Sequence, residues 1–157
     1  MMNGVHYRQW QPGRNFLIKI EPGESLRTRL NNVALDAEIR HAVIVSAVGS
    51  VCKAEFRGIK SGARRPISEP RMSRHHLEGP LELLGLEGNL ITDNSGTVDI
   101  HLHILMGKSS GEVIGGHLFD AEVFAGCEIA LCEMQVTGVG RYLSKSSGTP
   151  AIYIEET

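Results

Sequence analysis

Val98-Asp99-Ile100-His101-Leu102-His103-Ile104-Leu105-Met106 alternates at its centre between apolar and polar residues. Successive side chains of an extended chain point to opposite faces, so Val98, Ile100, Leu102, Ile104 and Met106 share one face and Asp99, His101 and His103 the other. The apolar set packs into a core, and both imidazoles face away from it. Two residues apart on a strand, their backbones are separated by about 6.6 Å, a span the side chains can close around one ion. The run ends at the turn signal Lys108-Ser109-Ser110-Gly111 and returns through Val113-Ile114-Gly115-Gly116-His117. A hairpin return brings His117 towards the first pair, and Gly115 and Gly116 have no side chain to obstruct the approach. Three neutral imidazoles with an open position make up a catalytic zinc shell, which a fourth ligand would close. His101, His103 and His117 are therefore the candidate metal ligands, with zinc as the candidate cofactor; paired strand histidines also occur as surface or hydrogen-bonding residues.

Outward from this segment, most of the chain reads as strands joined by short connections, which favours antiparallel pairing. Phe16 to Ile20 is a first strand stopped by Pro22-Gly23. Leu26, Leu30, Val33, Ala34 and Ala37 recur at three- and four-residue intervals, the spacing of an amphipathic helix that starts at Gly23 to Ser25. Ala42 to Val48 reads as a buried strand ending in a tight turn at Gly49-Ser50, with Val51 to Ile59 returning beside it. Lys60 to Pro80, dense in Pro, Ser and Arg, reads as a long exposed loop. Leu81 to Thr92, Thr97 to Met106, Glu112 to Phe119 and Cys127 to Thr137 are four further strands, the last two separated by Asp120 to Gly126. The tail, 144–157, is polar at first, and Ala151 to Ile154 adds an edge strand or stays mobile. The expected architecture is α+β, a central antiparallel sheet with one main amphipathic helix, in a single domain over 1–157 with its core at about 16–140.

The 157 residues carry 16 basic and 18 acidic side chains, a net charge of −2, so the chain as a whole is no polycation and any nucleic-acid contact must come from a local patch. The segment from Arg57 to His76 supplies one: Arg57, Lys60, Arg64, Arg65, Arg71 and Arg74 face only Glu69, a local charge of +5. Such a patch either meets phosphates or is simply a solvated basic loop. Cys52, Cys127 and Cys132 form no CxxC pair and no even-numbered disulfide framework, so reduced thiols are expected. No apolar run approaches the roughly 18 residues of a membrane span, and Met1 to His6 lacks a signal-peptide layout; the expectation is a cytoplasmic protein.

Two carboxylates are candidates for chemistry beside a metal. Glu82 alternates with Leu84 and Leu86, which sets an acid on an apolar strand face where a metal or a cation would offset its cost. Glu133 shares a face with Ile129 and Leu131. Each is open to several roles: ligand, acceptor orienting an imidazole N–H, general base, or member of a strand-end salt bridge.

Gly49-Ser50-Val51, then Gly79-Pro80-Leu81-Glu82-Leu83-Leu84-Gly85-Leu86-Glu87-Gly88, then His101-Leu102-His103, then Gly111-Glu112-Val113-Ile114-Gly115-Gly116-His117-Leu118 together resemble the PPC domain, the plants-and-prokaryotes-conserved domain, over about residues 16 to 140. His-x-His followed by Gly-Gly-His-Leu is the specific part. The resemblance implies an α+β fold, homotrimeric assembly and a DNA-binding role inherited largely from plant members. Those members carry a separate AT-hook, whose Arg-Gly-Arg-Pro core is absent here. The family's fold is also similar to that of acetolactate decarboxylase, whose zinc is held by histidines including a His-x-His pair, with carboxylate help. That analogy reaches His101, His103 and His117, and also Glu82 and Glu133. Three functions follow as expectations: a zinc protein acting on a small carbonyl or carboxylate compound, a DNA-binding protein, and a trimer presenting a small-molecule pocket or partner surface.

Overall fold

The computed structural model describes residues 3–155. Met1 and Met2, read above as part of a non-signal N-terminus, and the last two residues of the tail lie outside that range. The elements run β1 (Gln11–Ile20), α1 (Leu26–Asp36), β2 (His41–Ile59), a 3-10 turn (Glu69–Arg71), β3 (Met72–Thr92), β4 (Val98–Gly107), β5 (Val113–Gln135), β6 (Val139–Leu143) and β7 (Pro150–Ile154). The fold is α+β, as the periodicity predicts. All sheet pairings are antiparallel, in the order β1-β5-β2-β3-β4, and β4 also pairs with β5. Strands β2, β3, β4 and β5 thus pair in a closed circuit, which leaves few unpaired edges. Inside lie Val51, Phe56, Leu83, Leu86, Leu90, Leu102, Ile104, Met106, Leu118 and Ile129, all buried.

Helix α1 begins where the sequence says it should. The Ser25 hydroxyl accepts from the Thr28 N–H (3.1 Å) and donates to Asp120 Oδ2 (2.7 Å), while Asp120 Oδ1 accepts from the Arg27 N–H (3.1 Å). A carboxylate against these free N–H groups also complements the positive end of the helix dipole. Leu26, Leu30 and Ala34 are its buried stripe, and the helix packs against β4 and β5. It closes with Glu38 in the left-handed region (φ 53°), the Ile39 N–H donating to Ala34 O and the Glu38 N–H to Leu35 O, a Schellman arrangement built on a non-glycine residue.

Four boundaries differ from the sequence reading. Gly49-Ser50 makes no turn: β2 runs through it for 19 residues. A Cβ at Gly49 would stand 2.3 Å from Gly126 O, so this glycine serves the close approach of β2 to β5. The expected loop from Lys60 to Pro80 is strand from Met72 onward, because the far half of β2 takes residues 72–78 as its partner, from Lys53↔Glu78 to Ile59↔Met72. Backbone pairing decides the state there, since the side chains alternate between no apolar and polar faces. Asp120 to Gly126 separates nothing; β5 is continuous over 23 residues, its Asp120 accepting from Ser25 and Arg27 at the helix start and Ala121 and Val123 being core residues. Finally, the tail forms the hairpin β6–β7, which packs on the main body rather than adding an edge strand to its sheet.

Candidate metal centre

The three histidines of the alternating segment and its return meet at one place. His101 and His103 stand on the same face of β4, and the turn after Gly107, closed by the Gly111 N–H donating to Lys108 O (2.9 Å), sets His117 of β5 directly opposite His103. Candidate ligand atoms of all three lie within 4.8 Å of one another. The Nε2 atoms of His101 and His103 are 3.3 Å apart, and ring centroids are separated by 5.0 to 5.5 Å. Tetrahedral bonds of about 2.0–2.1 Å to a zinc ion hold neighbouring nitrogens about 3.3 Å apart, so one pair already has that spacing. The double glycine is required on both sides of β5: a Cβ at Gly115 would lie 2.0 Å from Ile104 O, and one at Gly116 would lie 2.4 Å from Arg57 O.

The environment disfavours the charged form of two of these imidazoles, His101 and His117. Burial, then the nearby Arg141 and His103, lowers the pKa of His101. Burial, then Arg57 and the two other histidines, lowers that of His117 to about 4. Neutral imidazole is the form that binds a metal, and its free lone pair is available at neutral pH. The donor set therefore fits a divalent ion of the zinc class.

These shifts set the sign of a pH effect. An unfolded histidine takes up a proton near pH 6.5, whereas folded His117 does so only near 4. As pH falls through that window the unfolded chain binds the proton first, so metal-free protein loses stability from about pH 6.5 down to about 4, and none further from this residue below that. Denaturant midpoints of wild type and His117→Gln check this. The wild type falls relative to the variant across the window; a constant difference contradicts the assignment.

Above the histidines opens a cavity of about 670 Å³, lined by Arg27 from α1, Arg57, Ile59, Met72, Asp99 and Phe119 among others. Its roof is made where the loop after β2 meets the β6–β7 turn, the Ile67 N–H donating to Ser147 O (2.6 Å). Asp99, two residues before His101 on the same face, is the carboxylate at this site, and it is paired with Arg141 (3.0 Å), whose side chain is 5% exposed. Arg141 also donates to Asn89 Oδ1. The alternation displays Asp99 beside the histidines, but nothing local in the sequence marks Arg27 or Arg141 as its neighbours.

Neither carboxylate singled out in the sequence reaches the cavity. Between Leu83 and Gly85 a bulge shifts the register of β3 against β4, so Glu82 and Leu84 are exposed while Leu83 and Leu86 are core. Glu82 thus stands on the solvent face, opposite Gly107. Glu133 lies at the far end of β5 from His117, where Arg14 holds it in a two-pronged pair (2.8 Å and 2.8 Å) and keeps its pKa below the usual carboxylate range. Of its candidate roles the structure assigns it the salt bridge. The basic segment is likewise dispersed. Arg57 lines the cavity and stacks on the Phe119 ring, Arg74 pairs with Glu55 (3.0 Å) and stacks on the same ring, Lys60 donates to Pro70 O, and Arg71 ties the loop through Arg64 O and Pro66 O. Arg64 and Arg65 are exposed and have no ion pair among the described residues, and Lys60, also exposed, meets only a backbone carbonyl. The three cysteines are free, and none joins the histidine group.

An antiparallel circuit carrying an outward histidine triad defines a class of fold, and comparison with known proteins gives the family. Residues 7–135 match the model of the Plants and Prokaryotes Conserved (PCC) domain, and the chain belongs to that family. A metal-containing protein from Archaeoglobus fulgidus superposes with a TM-score of 0.81 at 28% identity, over 96% of this chain and 100% of the other. A PPC protein from Pyrococcus horikoshii gives 0.79 at 27%, over 100% and 99%. Among curated proteins, the bifunctional protein GlmU of a Synechococcus strain is 25% identical over 139 residues, 88% of this chain and 20% of its own length; the chain spans about a fifth of the curated relatives it matches. Two further likenesses concern the fold alone: a Bacteroides thetaiotaomicron protein given a provisional DNA-binding description (TM-score 0.77, 18% identity, 95% and 100%), and Bacillus subtilis alpha-acetolactate decarboxylase (0.55, 16%, 77% and 52%). No helix among the described residues is long and apolar enough to cross a membrane.

Proposed function

We propose that His101, His103 and His117 hold one divalent metal ion, zinc by the character of the donors, and that the cavity above it receives a small-molecule ligand. The observation that carries this reading is the convergence of three ring nitrogens within 4.8 Å on two adjacent, rigidly paired strands. The metal-containing description of the A. fulgidus relative supports it. A zinc ion held by three neutral imidazoles acts as a Lewis acid towards a ligand oxygen. The chain's own contribution is to fix the imidazoles, exclude bulk water with Phe119 and the loop roof, and set a positive field with Arg27 and Arg57. Homotrimeric assembly, implied by the family, belongs to the same reading; sedimentation then gives three times the 17.1 kDa chain mass.

The test is metal content. Protein purified from zinc-supplemented medium and dialysed against metal-free buffer retains one zinc per chain. Metal-free protein that also fails to take up added zinc overturns the reading.

A second reading, contact with DNA phosphates, is favoured by the exposed Arg64 and Arg65 and by the provisional description of the Bacteroides neighbour. With Arg57, Lys60, Arg71 and Arg74 engaged within the fold, the binding is weak and falls steeply with salt. Duplex DNA that fails to bind at low ionic strength, or binds equally to an Arg64→Ala/Arg65→Ala variant, removes it.

A further inference from the structure

The chemistry of the cavity wall says what kind of molecule belongs in it. Arg27, half-buried at the start of α1, uses its backbone N–H on Asp120, and its guanidinium has no ion pair among the described residues. Arg57, 18% exposed, has Glu69 at 3.6 Å as its only carboxylate, and Glu69 is 71% exposed, so this pair is loose and solvent-screened. The one acid in the cavity, Asp99, is matched by the buried Arg141. Two guanidinium charges therefore face the space above the histidines, Arg27 without an ion pair among the described residues and Arg57 with only that loose one. Ile59, Met72, Phe119 and Pro150 supply an apolar wall on the same cavity. A bare inorganic ion would leave that wall wet, and a neutral apolar molecule would leave both cations without a partner.

We infer that the cavity binds a small organic anion, an apolar body of a few carbons ending in a carboxylate or a phosphate, with the oxyanion on Arg27 and Arg57 and the body against Phe119, Ile59 and Met72. Guanidinium groups pair with either oxyanion through charge-assisted, paired hydrogen bonds. The inference deepens the proposed metal centre and rests on that reading only for placing a second oxygen of the ligand over the histidines; the arginine anchor stands on its own geometry.

Isothermal titration with three probes of one shape tests it: 4-methylpentanoate, isopentyl phosphate and the neutral 4-methylpentanamide, each against zinc-loaded and chelator-treated protein. At least one anion binds about tenfold or more tightly than the amide, and which of the two does so names the headgroup. Arg27→Met removes that advantage, and so does Arg57→Met. An amide that binds as well as both anions, or an anion preference that survives both substitutions, overturns the inference. The zinc content of each sample, measured separately, keeps the two readings apart. Protein that takes no zinc but prefers the anion through Arg27 sinks only the metal centre, and zinc-loaded protein without anion preference sinks only this proposal.

Discussion

His101→Ala lowers the zinc affinity of this protein more than about a hundredfold, and the purified variant carries zinc only at background. Altering a group that merely orients a metal ligand costs about 10–100-fold, and here one of three ligands is removed while the one carboxylate lining the cavity, Asp99, is already held by Arg141. The fold survives, because His101 stands on the outer face of β4 and the core contacts of that strand come from Ile100, Leu102 and Ile104. His76→Ala provides the control: that histidine is exposed on β3, 3.9 Å from Glu55, and lies outside the cavity. Equal zinc retention in His101→Ala and His76→Ala, with both folded by circular dichroism, contradicts the account.

Gly88→Ala destabilises the protein by about 3 kcal/mol or more. Gly88 has φ +150°, and a Cβ there would stand 1.9 Å from His101 O and 3.0 Å from Leu102 Cα. The obstruction is backbone, so it cannot rotate away; β3 and β4 must separate at the residues that carry the metal candidates. The same substitution therefore also weakens zinc binding although Gly88 touches no imidazole. Gly126→Ala is the comparison, since a Cβ there meets nothing within 4 Å, and its effect stays within about 0.5 kcal/mol. Denaturant unfolding measures both, and equal midpoints for the two variants contradict this description of the β3–β4 approach.

What was legible in the sequence follows from where local pattern and tertiary structure agree. The period-two alternation of Val98 to Met106 and the short turn after it specify the faces and register of a hairpin, so the meeting of His101, His103 and His117 can be read without coordinates. Ser25 and the 3-4 spacing from Leu26 define α1 for the same reason. Strand length was not legible. Gly49-Ser50 and Asp120 to Gly126 carry turn chemistry, yet both sit inside strands whose continuity is set by neighbours distant in sequence. Alternation misplaces Glu82 because a single bulge reverses the in–out phase it assumes, whereas Glu133 takes the salt-bridge role among those open to it, with a partner, Arg14, that lies in a strand far removed along the chain. The cavity's cations come from α1 and β2, so only the assembled fold shows that Arg27 and Arg57 share a space with the histidines.

The most direct measurement is anomalous X-ray diffraction at the zinc edge from crystals of zinc-loaded protein. One strong peak per chain, within about 2.1 Å of a ring nitrogen of each of His101, His103 and His117, is the result this account predicts. Zinc found only at other side chains, or a triad that stays without a peak in crystals saturated with the metal, contradicts it.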